Sequence, residues 1–173
     1  MKRRWAILAL ALPLLVYLLA VVMAERHIAI GEIYRFAIEG YDPRDLLRGR
    51  YLRFQVDYDW ANERGSCSPE AISPHEECCY CLTKTDSLIP KVSHTTCEKA
   101  RTQCDGVLRQ TSADDLNRFY IPEQKAKVAE GLMRKAATEG HAHILVSITQ
   151  DGEAQIIDLQ IDGNPLNELL PTN

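Results

Sequence analysis

Six cysteines, Cys67, Cys78, Cys79, Cys81, Cys97 and Cys104, are the residues whose type and spacing could do chemistry. All lie within 67–104, and the rest of the 173-residue chain has none. Three chemistries compete for such a group. An even number of clustered thiols in an oxidising compartment forms disulfides, which staple a stretch too poor in apolar residues to hold itself. Cys78-x-x-Cys81 has the spacing of a redox pair or of half a zinc site, with His75 and His94 nearby in sequence as nitrogen ligands. A zinc site wants a second matched pair, yet Cys97 and Cys104 stand too far apart for one. A thioredoxin-like pair opens a helix after a buried strand, and Thr83-Lys84-Thr85-Asp86 begins no helix. Disulfides are therefore the leading reading for all six. Six thiols allow fifteen connectivities, and spacing does not choose among them. If 78–83 is a strand, Cys79 and Cys81 share one face and Cys78 points the other way, so these neighbours pair with distant partners.

Other constellations are weaker. His141-x-His143 would put two imidazoles on one strand face, as some metal sites do, but a solvated strand start explains it as well. Asp114-Asp115 is more simply a helix start or polar turn than an acid/base pair. A serine–lysine protease site of the signal-peptidase kind needs a serine just before the turn proline. Gly40, Tyr41 and Asp42 stand there, and no Ser-x-x-Lys occurs. Gly152 follows Asp151 in a hairpin and belongs to no phosphate-cradling loop. No catalytic residue, cofactor or metal ligand set is assigned, and the balance is against an enzyme.

The elements that would carry these residues follow from periodicity. Glu32 to Glu39 alternates, with Tyr34, Phe36 and Ile38 on one face. Tyr51 to Tyr58 does so again, with Leu52, Phe54 and Val56 inward. Residues 61–77 read as a surface loop, 78–83 as a short strand, and 84–115 as poorly patterned apart from a helical turn near Cys97–Cys104. The whole of 61–110 is expected to be an irregular, cysteine-rich region. A strand over 118–121 leads into Pro122, which suits the first turn of a helix. Ala126, Ala129, Leu132, Met133, Ala136 and Ala137 then recur at helical spacing until Gly140 stops the run. Residues 143–150 and 153–161 are two strands joined at Asp151-Gly152, a two-residue hairpin signal. This order predicts an α+β fold with a mostly antiparallel sheet and one main helix.

In front of it lies a stretch without charge, Trp5 to Ala24. Twenty residues in a helix reach roughly 30 Å, the thickness of a bilayer's hydrocarbon core. Lys2, Arg3 and Arg4 precede it and Glu25 follows, which by the positive-inside rule leaves the N-terminus in the cytoplasm. The stretch is longer than a signal-peptide core, so an uncleaved anchor is expected although Val22-Met23-Ala24 ends in a small residue. Residues 1–24 are then a cytoplasmic tip and transmembrane anchor, and 25–173 an extracytoplasmic domain. The lipid bilayer is the expected partner of residues 5–24. Beyond the anchor stand seventeen basic against all twenty-four acidic residues. A domain that acidic is poorly suited to neutralising phosphates, which sets nucleic acid aside. Arg44, Arg48, Arg50 and Arg53 form a local basic cluster whose simplest role is pairing with nearby acids.

Between the first two strands, Asp42-Pro43-Arg44-Asp45-Leu46-Leu47-Arg48-Gly49 is a well-specified connection. Its aspartates bond neighbouring backbone amides, Pro43 stiffens the turn, and Gly49 precedes Tyr51. This segment resembles the bacterial family named for its GDYXXLXY motif, membrane-anchored extracytoplasmic proteins of uncharacterised function. Arg118 to Glu123 with the helix after it, and the C-terminal hairpin with Asp151-Gly152 and Asp162-Gly163, resemble further blocks of that family. At the naming motif only Gly49 and Tyr51 match; Arg50 replaces the acid, and Phe54 and Val56 replace Leu and Tyr. A charge reversal there removes any role that needs an acid, while Phe54 and Val56 still suit an apolar face. Asp42, Pro43, Asp45, Gly49 and Tyr51 are thus motif positions with a structural role. The resemblance implies a bacterial inner-membrane protein with its C-terminal domain in the periplasm or outside the cell. It also implies a polytopic membrane protein as partner, with a structural or interaction domain working beside it. The alternative is a periplasmic thiol-redox or metal-handling protein using the cysteines.

Overall fold

The structure, a computed structural model, describes residues 2–41, 51–61, 67 and 77–170. It opens with α1 (Lys2–Ile30), which continues past Ala24 without a break and carries Pro13 inside it. Side chains from Ala11 to Arg26 are exposed. By length and composition, Ala11–Ile30 is apolar and long enough to cross a membrane.

A single residue, Gly31, separates α1 from β1 (Glu32–Tyr41). A six-stranded sheet follows, built from β1, β2 (Tyr51–Asp57), β6 (Arg118–Tyr120), β7 (Ala142–Ile148), β8 (Ala154–Ile161) and β9 (Asn164–Pro165). Its order is β6-β2-β1-β7-β8-β9, antiparallel at every step. Register explains the core. Tyr34 faces Val146, Phe36 faces Ile144 and Ile38 faces Val56, so alternate residues of three strands form one continuous apolar face. The opposite face of β1 carries Ile33, Arg35, Ala37 and Glu39, which are partly or fully exposed.

Against this sheet lies α4 (Glu123–Thr138), contacting β1, β2 and β7. Ala129, Met133 and Ala136 recur at helical spacing, are buried, and share the sheet's core. Small residues on that face let the helix approach closely, and burying Met133 contributes roughly 1.5–3 kcal/mol. Pro122 stands one residue before the helix as its cap. At the other end Gly140 takes φ 75°, the His141 amide donates to the Ala136 carbonyl and the Gly140 amide to that of Ala137. This left-handed stop requires glycine.

The stretch expected to be irregular contains a second sheet. β3 (Cys78–Thr83) is its centre, between β4 (Lys91–Thr96) and β5 (Gly106–Arg109), with α2 (Cys97–Gln103) and α3 (Gln110–Asp115) attached. Tyr80, Leu82, Val92 and Leu108 from one face join the main core, while Cys79 and Val107 from the other pack with Ala100 of α2. Among the described residues, three backbone joints fix this layer to the first. Trp60, just past β2, bridges Val92 in parallel. The Arg35 amide donates to Leu88, and the Arg109 amide to Gly152.

The β7–β8 connection is wider than a two-residue turn. The Thr149 amide donates to Glu153 and the Gly152 amide to Thr149, leaving Gln150-Asp151-Gly152 as the loop with Gly152 at φ 82°. A true two-residue turn occurs later, where Asp162 and Gly163 both have positive φ between the paired Ile161 and Asn164. The chain then forms α5 (Leu166–Leu169), whose Leu166 is buried in the core.

Candidate functional site

The alternation of β3 sorts the cysteines. Cys79 and Cys81 lie on the face under α2 and bond to Cys97 and Cys104, which bracket that helix. Cys78 points the other way and bonds to Cys67. A seven-residue helix is too short to hold itself in water, so the two bridges and the packing of Ala100 keep α2 in place. Cys78 and Cys81 are therefore not a pair. Each is bonded to a different partner, and neither sulfur is a free thiolate for exchange or metal binding in this state. Among the described residues no group of three His, Cys, Asp or Glu side chains is placed to hold a metal ion.

The histidines are dispersed. His94 stacks on Trp60 at 4.5 Å and 13°, with Tyr80 edge-on to both rings, and burial lowers its pKa. Tyr58 packs against Phe36, Trp60 and Tyr80 with its hydroxyl enclosed and unbonded, and burial raises its pKa. His141 precedes β7, its Nδ1 2.5 Å from Asp162 Oδ1. His143 is half-buried, and its pKa is lowered by burial first and by Arg35 second. The two imidazoles belong to no group of three potential metal ligands among the described residues. Asp114 and Asp115 end α3 rather than starting a helix. Arg53 is exposed on β2. His75, Asp42, Pro43, Arg44, Asp45, Arg48, Gly49 and Arg50 lie outside the described residues; Tyr51 opens β2, its backbone paired with Tyr120.

A concavity among the described residues lies elsewhere, at the end of the domain where α1 arrives. A cleft of about 590 Å³ is bordered by Ile30, Glu32, Tyr34, Arg101, Asp105 and Asp151 among others. Two of its acids, Glu32 and Asp105, are held by neighbouring groups. The Tyr34 hydroxyl donates to Glu32 Oε2 at 2.8 Å, and Lys84 Nζ pairs with Glu32 Oε1. The Lys84 backbone amide donates to Asp105 Oδ2 at 2.8 Å. The Lys84 ammonium, and then the Tyr34 hydroxyl, hold the Glu32 carboxyl below its ordinary pKa. Burial, reinforced by Glu32, pushes the Tyr34 phenol up. Gly106 lines the same cleft because a Cβ there would fall 2.4 Å from the Tyr34 hydroxyl oxygen. Spacing gave one faint signal of this network: Glu32 and Tyr34 share a strand face. Lys84 and Asp105 are far away in sequence, and only the second sheet brings them in.

The junction with α1 is equally specific. The Ser147 hydroxyl donates to the Ile28 carbonyl at 3.0 Å, satisfying one of the carbonyls a helix leaves free at its C-terminus. Comparison with known families finds a match over residues 13–159 to the family described as GDYXXLXY protein. No curated protein and no solved structure matches the chain.

Proposed function

The chain belongs to the GDYXXLXY protein family, and from that premise we propose that it is a single-span protein of the bacterial inner membrane whose domain works outside the cytoplasm. One observation carries the reading. α1 exposes its side chains from Ala11 to Arg26, an almost wholly apolar surface that no described part of the domain covers. Such a surface is stable in lipid and costly in water. Lys2, Arg3 and Arg4 favour a cytoplasmic N-terminus, and six cysteines joined in three bridges suit an oxidising far side.

The domain is a structural or interaction module that docks onto a polytopic membrane partner and carries out no chemistry of its own. The mutual pairing of Glu32, Lys84, Tyr34 and Asp105 supports this, since these groups are spent on holding the cleft in shape. A phosphatase that is active only outside the cytoplasm, fused after Asn173, tests the topology and is expected to be active. Activity of a cytosolic reporter at the same position instead would overturn it. A photo-crosslinking residue at Asp151 tests the docking. It is expected to capture one membrane protein in intact cells, and a placement at Glu139, beyond the far end of β7, is expected to capture none.

A further inference from the structure

We infer that the end of the domain around Gln150 and Ile33 rests on the headgroup layer of a zwitterionic bilayer, held there by the anchor itself. The inference builds on the anchored reading and adds a surface and a partner chemistry to it. If Trp5 to Ala24 fill the hydrocarbon core, the helix from Glu25 to Ile30 carries the chain only about 9 Å further. The headgroup region on one side of a bilayer is roughly 5–7 Å deep. The helix therefore ends at the outer edge of the headgroups, and Gly31 is the whole linker.

The fold then turns part of the domain back toward the lipid. Glu32 pairs with Ile148, and β7 runs antiparallel to β1, so the turn after Ile148 passes the start of β1 and borders the same cleft as Ile30. Gln150 and Asp151 are exposed at its tip. The arrangement cannot swing freely. Ser147 holds the Ile28 carbonyl, and a Cβ on Gly31 would lie 1.9 Å from the Ser147 hydroxyl oxygen. Ile30 is 72% exposed and Ile33 46%, apolar side chains at the depth where an interface would cover them. Charge bears on the lipid. Glu32, Asp105, Asp151 and Glu153 at this end face Lys84, Arg101 and Arg109, with Glu32 and Lys84 paired, so there is no cationic excess to draw anionic headgroups and zwitterionic ones are accepted.

The test uses the full chain with Trp5 and Trp60 replaced by phenylalanine, reconstituted in phosphatidylcholine vesicles. One tryptophan probe is returned per variant: Leu14→Trp, Gln150→Trp, Ile33→Trp or Glu139→Trp. Leu14→Trp is expected to be quenched by a nitroxide deep in the acyl chain. Gln150→Trp and Ile33→Trp are expected to lose about half or more of their fluorescence to a headgroup nitroxide, with Glu139→Trp little affected, because β7 separates that end by roughly 20 Å. If Leu14→Trp is quenched while Gln150→Trp and Ile33→Trp behave like Glu139→Trp, the surface inference is overturned and the anchor stands. If Leu14→Trp escapes quenching, the anchored reading falls and takes this one with it. A rise in headgroup quenching on adding phosphatidylglycerol would overturn the choice of lipid.

Discussion

The Ser147 hydroxyl and the Ile28 carbonyl, 119 positions apart in sequence, meet at 3.0 Å where the apolar helix enters the domain. The contact joins the last turn of α1 to the last turn-proximal residues of β7. Gly31 lies against the same hydroxyl, at a distance that leaves no room for a side chain. Helix and sheet are thus coupled by one hydrogen bond and one missing Cβ.

That coupling predicts non-additive energetics. Ser147→Ala should cost about 1 kcal/mol, the net worth of one hydrogen bond. Gly31→Ala should cost more in the parent chain, because the new methyl must displace the Ser147 hydroxyl oxygen. In the double variant the nearest remaining atoms, Ser147 Cβ and the Ile148 amide nitrogen, are 3.1 Å away, so the combined cost should be less than the sum. Urea unfolding of the detergent-solubilised chain, followed by tryptophan fluorescence, measures the cycle. Strict additivity would show that the two positions do not share this contact.

The bridges should rank by what they hold. Cys79–Cys97 and Cys81–Cys104 close spans of 18 and 23 residues and clamp α2, whereas Cys67–Cys78 closes 11. Replacing both cysteines of either longer bridge with serine should cost about 3 kcal/mol, and the Cys67/Cys78 replacement somewhat less. Loss of both longer bridges should release α2, seen as rapid amide exchange at Ala100. Protein purified without reductant should show no titratable thiol and no stoichiometric metal. Two free thiols, or one bound zinc, would revive the redox or metal-handling alternative.

How far the fold was legible depended on how apolar each element was. β1, β2, α4, β7 and β8 announce themselves because Tyr34-x-Phe36-x-Ile38 or Ala129-x-x-x-Met133-x-x-Ala136 place unmistakable core residues at one period. β4 did not, because Lys91 to Thr96 offers only Val92 as an apolar inward residue, with His94 filling the next inward position by stacking on Trp60. α2, seven residues long, shows in the sequence only as the helical turn expected near Cys97–Cys104, and β5, four residues long, is too short for periodicity; they are held by the bridges and by pairing with β3. Strand alternation separated Cys78 from Cys79 and Cys81, yet the partners required knowing where α2 lies. The cleft was illegible for the same reason: Glu32 meets Lys84 and Asp105 only after the second sheet has docked.

Acid should weaken the fold before carboxylates titrate. His94 and His143 both have pKa values depressed by burial, and Arg35 lowers His143 further. A histidine that binds its proton less tightly when folded contributes full stability above its unfolded pKa, near 6.5, and loses it as pH falls through that value. Unfolding free energy measured from pH 7.5 down to about 5 should therefore decline. His143→Gln should flatten the decline, and His94→Gln should flatten it further. Asp158 has the opposite sign: burial raises its pKa, so its protonation at lower pH favours the folded state. A profile that stayed level below 6.5 would contradict the burial of both imidazoles.

Gly106 and Tyr34 offer the sharpest test of the cleft. The Tyr34 ring is buried in the core, and its hydroxyl donates to Glu32 at the rim. Gly106 passes under that hydroxyl, and a Cβ there would meet the oxygen at 2.4 Å and the ring carbon bearing it at 3.0 Å. Gly106→Ala should therefore force the ring to move within packed surroundings, at a cost of about 1–3 kcal/mol. Tyr34→Phe alone should cost about 1 kcal/mol, since Glu32 keeps Lys84. With the hydroxyl gone, the alanine methyl has only the ring carbon to clear, and a shift of a few tenths of an ångström suffices. The penalty of Gly106→Ala should then fall to roughly half of its value in the parent chain. An undiminished penalty in the Tyr34→Phe background would mean that the strand backbone, and not the phenol, is what excludes a side chain at Gly106.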